Sequence, residues 1–191
     1  MKGYAGKLLR VNLTSGNCTV EPLGEQIIRK FIGGAGFGAH LLFSELNTGI
    51  DPLGPDNKII FSTSPLSENI VSGGGSIILC FKSPLTNGWG ESRCGGNFGP
   101  DLRRAGFDAI IIEGASERAV YLEVINGSPC LKDASSIVGK DVYEKTDWIE
   151  GKLPEEYRNK SVLCIGPAGE NLVRFASVMC RDRAAGRNGG G

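Results

Sequence analysis

The chain has 191 residues, enough for one domain with a sizeable core or for two small ones. Its 21 basic and 21 acidic side chains balance at zero, so no overall positive field points to nucleic acid. With no charged-then-apolar leader and no apolar run of about 18 residues, neither a signal peptide nor a membrane span is expected. The strongest bias is 29 glycines, about twice the usual ~7% share. Many sit beside apolar runs, which points to close backbone approach more than to disorder. Six cysteines (Cys18, Cys80, Cys94, Cys130, Cys164 and Cys180) include no C-x-x-C pair. They read as reduced thiols of a cytoplasmic protein, and no protein metal ligands are expected among them.

Residues 6–22 read as a hairpin turning at Thr14-Ser15-Gly16-Asn17. Ile27, Ile28, Phe31 and Ile32 share a helical face, Gly33-Gly34 can cap that helix, and a second helix runs through His40–Leu46. Gly34-Ala35-Gly36-Phe37-Gly38-Ala39 fits the G-x-G-x-x-[GA] dinucleotide pattern. That mechanism needs a preceding strand, whereas a helix is predicted here, so a cap with tight packing is the better reading. A turn-rich connector at 51–57 leads to a strand at 58–63, then to the loop Ser72-Gly73-Gly74-Gly75-Ser76. Ile77-Ile78-Leu79-Cys80-Phe81 reads as a strand buried on both faces. A loop through Glu91–Gly99 follows. Next comes a short helix with Pro100 in its first turn and Gly106 past its end, with Arg103 and Arg104 expected in water. A strand at 108–114, a hairpin turning at Asn126-Gly127, a helix over 138–150, a solvated connector at 155–160 and a strand at 161–165 complete the pattern.

Two stretches resemble each other. Ile59-Ile60-Phe61 leads to Ser64-Pro65-Leu66-Ser67-Glu68-Asn69-Ile70-Val71, and Val162-Leu163-Cys164 leads to Gly166-Pro167-Ala168-Gly169-Glu170-Asn171-Leu172-Val173. The order hairpin, helix, strand, proline turn, strand, arginine–glycine loop then occurs twice. The expected fold is therefore α+β: two β-sheets related by internal duplication, with helices at the edges and pseudo-repeats of roughly 1–105 and 106–191. Each repeat would send a glycine loop toward one place, residues 72–76 and 93–99 from the first and 183–191 from the second.

No catalytic residue is assigned. The sole histidine, His40, lies among apolar helix residues, and neither a G-x-S-x-G elbow nor a G-x-x-x-x-G-K-[ST] loop occurs. Glu68 and Glu170 follow proline turns and read as turn or capping groups. The chain closes on Arg181-Asp182-Arg183-Ala184-Ala185-Gly186-Arg187-Asn188-Gly189-Gly190-Gly191, where backbone N–H groups and guanidinium forks can hold an anion. A glycine run at a natural terminus has nothing to hold, so the polypeptide is expected to continue past Gly191.

An ordered set of segments resembles the N-terminal domain of the aldehyde ferredoxin oxidoreductases, the tungsten–pterin enzymes. The set comprises Gly6–Leu13 with Ser15-Gly16, Asp51-Pro52-Leu53, Asn57–Ile60, Lys82–Thr86, Gly95-Gly96, Ala105–Gly114, Asp133–Ser135, Ile165–Val173 and Arg183–Arg187. The resemblance covers essentially the whole chain. It implies a bis-pyranopterin cofactor whose sulfurs hold tungsten and whose phosphates are joined through magnesium, so the protein's task is recognition of phosphate and pterin. It further implies oxidation of an aldehyde to a carboxylate with water, and electron transfer through a [4Fe–4S] cluster to ferredoxin. The cluster ligands would lie in later domains, and a homodimer, common in the family, is an expectation.

Arg183, Ala184, Gly186 and Arg187 match the family's second pterin loop, and Gly95 matches the first. Arg93 and Cys94 stand where an asparagine and a small residue are usual, Ser76 stands where an arginine is typical, and Asn188 replaces a common glycine. Arg93 is the expected source of the charge lost at Ser76. The alternatives are a related tungsten or molybdenum reductase subunit acting on aromatic acyl-CoA thioesters, or a non-catalytic glycine-rich phosphate-binding module.

Overall fold

The computed structural model describes residues 2–68, 73–157, 161–186 and 190–191. Strands β1 (Lys7–Asn12) and β2 (Asn17–Pro22) form the first antiparallel hairpin. Helices α1 (Glu25–Phe31) and α2 (Ala35–Glu45) follow, then β3 (Lys58–Ser62), β4 (Ile77–Lys82), β5 (Trp89–Cys94), α3 (Phe98–Arg104) and β6 (Ala109–Glu113). These six strands make one mixed sheet in the order β2-β1-β6-β3-β4-β5, with β6 parallel to β1 and antiparallel to β3. The hairpin β7 (Val120–Ile125)–β8 (Ser128–Asp133), α4 (Val142–Lys152), α5 (Pro167–Glu170) and the short pair β9 (Val178–Cys180)–β10 (Arg183–Ala185) complete the chain.

Alternation along the strands divides the core between the two faces of the sheet. Leu9, Val11, Phe61, Leu79, Phe81 and Ile110 face one side, where Leu102, Phe107, Val178, Cys180 and Ala185 pack on them. Leu8, Ile60, Ile78, Cys80 and Ile111 face the other, covered by Ile28, Phe37 and Leu42 of α1 and α2. β4 is buried on both faces, as its unbroken apolar run predicts. Gly38 lets α2 lie on β4, because a Cβ there would collide with the Cys80 side chain. The segment 34–39 is therefore a packing element preceded by a helix, with Gly34 as the N-cap of α2.

Several local expectations change. Residues 91–94, predicted as loop, belong to the edge strand β5. Gly90, Ser92 and Cys94 alternate inward, but they are small residues without the β-branched signature of a strand. The helix predicted over 138–150 starts at Val142 because Asp141 caps it, accepting hydrogen bonds from Tyr143 N and Glu144 N at 2.8 Å while Glu144 reciprocates. The strand predicted at 161–165 reduces to one bridge, Cys164 with Met179.

Arg103 does not face water. It is 6% exposed and ion-paired with Asp108, which is 1% exposed and accepts hydrogen bonds from Ala5, Gly6 and Lys7 N–H. Arg104 stays exposed beside Asp101 at 2.8 Å.

The chain is α+β, but the expected duplication does not take the form of two equivalent sheets. Among the described residues, one sheet has six strands and two have two. β6, which falls in the second pseudo-repeat, inserts between β1 and β3 of the first. Pro65 opens a turn, whereas Pro167 opens the helix α5. There Glu170 pairs with the buried Lys145 and accepts from Gly139 N at 2.8 Å, a structural tie.

Candidate functional site: two glycine–arginine loops at a sheet edge

The six-stranded sheet ends at β5, and β10 lies beside it through an antiparallel bridge between Arg93 and Gly186. This pairing sets the end of β5, Cys94-Gly95-Gly96, against Arg183-Ala184-Ala185-Gly186. The Arg183 side chain crosses the glycines: a Cβ on Gly95 would lie 3.4 Å from Arg183 Nη1, and one on Gly96 would lie 3.6 Å from its Cδ. Gly96 has φ of +111°, a conformation that L side chains rarely adopt. The third segment, Gly73–Ser76, packs on the same turn. A Cβ on Gly75 would lie 3.0 Å from Gly96 O, and one on Gly99 would lie 3.2 Å from Ser76 O. The structure thus gathers Ser76, Arg93, Cys94, Gly95, Arg183, Ala184 and Gly186 along one edge, and Arg187 lies outside the described residues.

Among the described residues no carboxylate is within ion-pairing distance of Arg183. Arg93 also reaches solvent, but it is engaged by Glu91 at 2.8 Å. Ala184 is exposed and adds no bulk beside Arg183. Cys94 differs from its neighbours, since its side chain is 1% exposed and turned into the core. There its Sγ–H donates to Gly95 O and Arg183 O at 3.4 Å. What β5 offers a ligand at this position is backbone.

An uncompensated guanidinium over side-chain-free backbone suits an anion that must come close to the chain. Among the described residues no cluster of three or more His, Cys, Asp or Glu side chains could hold a metal ion. Beneath the loops a cavity of about 390 Å³ is lined by Gly96, Asn97, Ser161, Val162, Cys180 and Arg183, among others. Gly96, Asn97 and Cys180 were not among the cofactor-binding residues expected from sequence. The signal that could have found them is the pairing of β9 with β10, which sets Cys180 opposite Arg183.

Among the described residues no helix is long and apolar enough to cross a membrane. Residues 8–191 match the family model described as aldehyde ferredoxin oxidoreductase, N-terminal domain. All of the chain aligns at 45% identity with 31% of a tungsten-containing aldehyde ferredoxin oxidoreductase of Pyrococcus abyssi. It also aligns over its full length, at 35% identity, with 32% of an aliphatic sulfonate oxidoreductase, WOR-like subunit, of Pyrococcus furiosus. Among solved structures, the active site complex BamBC of benzoyl coenzyme A reductase with 1,5-dienoyl-CoA superposes with a TM-score of 0.93 at 31% identity, covering 98% of this chain and 28% of that one. The chain spans about a third of the length of the curated relatives it matches. The family model, the full-length identity and the paired loops agree: this chain belongs to the aldehyde ferredoxin oxidoreductase family and corresponds to its N-terminal domain.

Proposed function

We propose that the chain is the tungsten–pterin-binding domain of an oxidoreductase that converts aldehydes to carboxylates with water and passes electrons through a [4Fe–4S] cluster to ferredoxin in the cytoplasm. The observation that carries this reading is the convergence of Gly95-Gly96 and Arg183–Gly186, with the Arg183 cation left uncompensated. Arg183 binds a cofactor phosphate, and Arg187 is assigned the same task from its place in the loop. Gly95, Ala184 and Gly186 leave room for the ligand to reach backbone N–H groups. Ser76 offers a hydroxyl where the family more often has an arginine, and Arg93 makes up that charge by turning from Glu91 toward the ligand. When bound, a tungsten–pterin group with its magnesium would supply two-electron redox chemistry. Cluster ligands, acid–base groups and the substrate pocket are assigned to the rest of the full-length protein.

The test is elemental analysis of the anaerobically purified full-length protein, together with aldehyde oxidation measured with ferredoxin as acceptor. Tungsten and ferredoxin reduction are expected, and absence of both tungsten and molybdenum would sink the reading. A second reading, reduction of an aromatic acyl-CoA thioester, is favoured by the superposition on the benzoyl coenzyme A reductase complex. Turnover of the thioester with no turnover of aldehydes would select it. Arg93→Ala should lower cofactor retention, and retention equal to wild type would remove Arg93 from the site.

A further inference from the structure

Gly190 and Gly191 pack against the core, a placement that the site described above does not use. Phe81 of β4 is 3% exposed, and its ring lies between two glycines. Gly90 of β5 meets one ring edge, where a Cβ would collide with Cε2. Gly190 meets the other edge, where a Cβ would lie 2.5 Å from Cε1 and 2.7 Å from Cζ. The ring cannot swing away from a side chain at position 190, because the backbone of Gly90 stops it on the far side. Gly191 is held as closely. Its N–H donates to Ala176 O at 2.9 Å, and a Cβ on it would collide with the backbone of Ser177. Ala176 and Ser177 lead straight into β9, the strand that pairs with β10. The chain thus leaves β9 through β10 and comes back to the residues just before β9. Only residues 187–189 stand between Gly186, bridged to Arg93, and the slot at Gly190.

We propose that Gly190 and Gly191 are positioning residues, a latch that fixes the far end of the arginine loop and so sets where Arg187 meets the ligand. The ligand's identity rests on the pterin reading, whereas the latch rests on the packing alone. Space is what demands glycine at both positions, since any Cβ meets the Phe81 ring or the Ser177 backbone. A loop pinned at both ends has given up its freedom before an anion arrives, so binding does not bear that ordering cost. A side chain at position 190 would push this end off Phe81 and take the Gly191 N–H from its carbonyl. The β9–β10 pairing would remain, because its three residue pairs, Arg183 with Cys180 to Ala185 with Val178, lie upstream of the slot. The latch therefore acts on Arg187 more than on Arg183.

The experiment compares the full-length wild type with Gly190→Ala, both purified anaerobically and matched by thermal melting. It measures tungsten and pterin per chain, and the rate of tryptic cleavage after Arg187 relative to that after Arg118 in its exposed loop. Gly190→Ala should be cut about tenfold faster after Arg187 and should lose most of its tungsten and pterin. The same change made in a Phe81→Leu background, where no Cε1 or Cζ meets the new methyl, should alter either readout by less than about twofold. Cleavage of Gly190→Ala at the wild-type rate overturns the latch, and so does equal damage in the Phe81→Leu background. Wild-type cofactor content in a loosened loop overturns the positioning role. A wild type carrying neither tungsten nor molybdenum sinks the pterin reading instead, and the cleavage rates still decide the latch. Should a variant fail to fold, hydrogen exchange of the Gly191 amide in the wild type decides. Exchange as slow as in β9 is expected, and exchange at the rate of an unstructured amide overturns the proposal.

Discussion

Two regions of the molecule treat positive charge in opposite ways. Toward one end of the six-stranded sheet, Arg10 and Lys58 are both saturated. Arg10 bonds Glu21 at 2.6 Å, Glu45 at 2.9 Å and Glu113 at 3.1 Å, while Lys58 holds Glu45 at 2.9 Å and also Glu113. Arg103 is likewise locked to Asp108. At the β5 edge, Arg183 lies across Gly95 with no described carboxylate on it. The first arrangement holds strands together, because charge taken out of water is stable only when matched. The second leaves charge exposed for something that is not protein. Counting arginines would rank the first region higher, but the second has the open guanidinium and bare backbone that bind an anion.

The contrast can be broken from the structural side first. Arg103→Met leaves Asp108 buried without its cation and should cost about 3–5 kcal/mol in urea unfolding. Unfolding within ~0.5 kcal/mol of wild type would mean that the pair is not structural. Gly38→Ala forces α2 off β4 and should cost about 1–3 kcal/mol, and an unchanged melting temperature would contradict the packing described.

The charge network has a pH signature. Burial pushes Glu45 and Glu113 up, but hydrogen bonds and charges from Lys58 and Arg10 outweigh it and hold both below the usual carboxylate range. Their contribution is therefore present above the unfolded carboxylate value of about 4.3 and is lost as pH falls through the lower folded values. With solvent screening this amounts to about 1 kcal/mol or less per carboxylate. The urea midpoint should drop on acidification, and less steeply in Arg10→Met. Identical slopes would separate Arg10 from the network. Arg183→Ala should show the smallest stability change, within about 0.5 kcal/mol, and a larger loss would mean that this side chain is structural.

The same contrast explains what could be read from sequence. The apolar run of β4, the Asn126-Gly127 hairpin and the arginine–glycine endings are local signals, and the structure keeps the first two as predicted. Arg103 was misread because its partner Asp108 sits across a glycine turn, where helical spacing carries no information. β5 was missed because its inward residues are small and its strand character comes from pairing with β4. The pairing of β5 with β10, more than 80 residues away in sequence, turns two separate loops into one edge. No periodicity announces that contact. Arg183 and Gly95 could be named from motif and resemblance, whereas the approach of the Arg183 side chain to Gly95 and Gly96 emerged only once the strands were in place.

The central claim is that this edge holds an anionic pterin cofactor through Arg183. It is tested most directly by measuring tungsten and pterin in the full-length protein and in its Arg183→Ala variant, both purified anaerobically and matched by thermal melting. The account predicts that the wild type carries both components and that the variant, equally stable, loses most of each. Equal tungsten and pterin in the two proteins would contradict it.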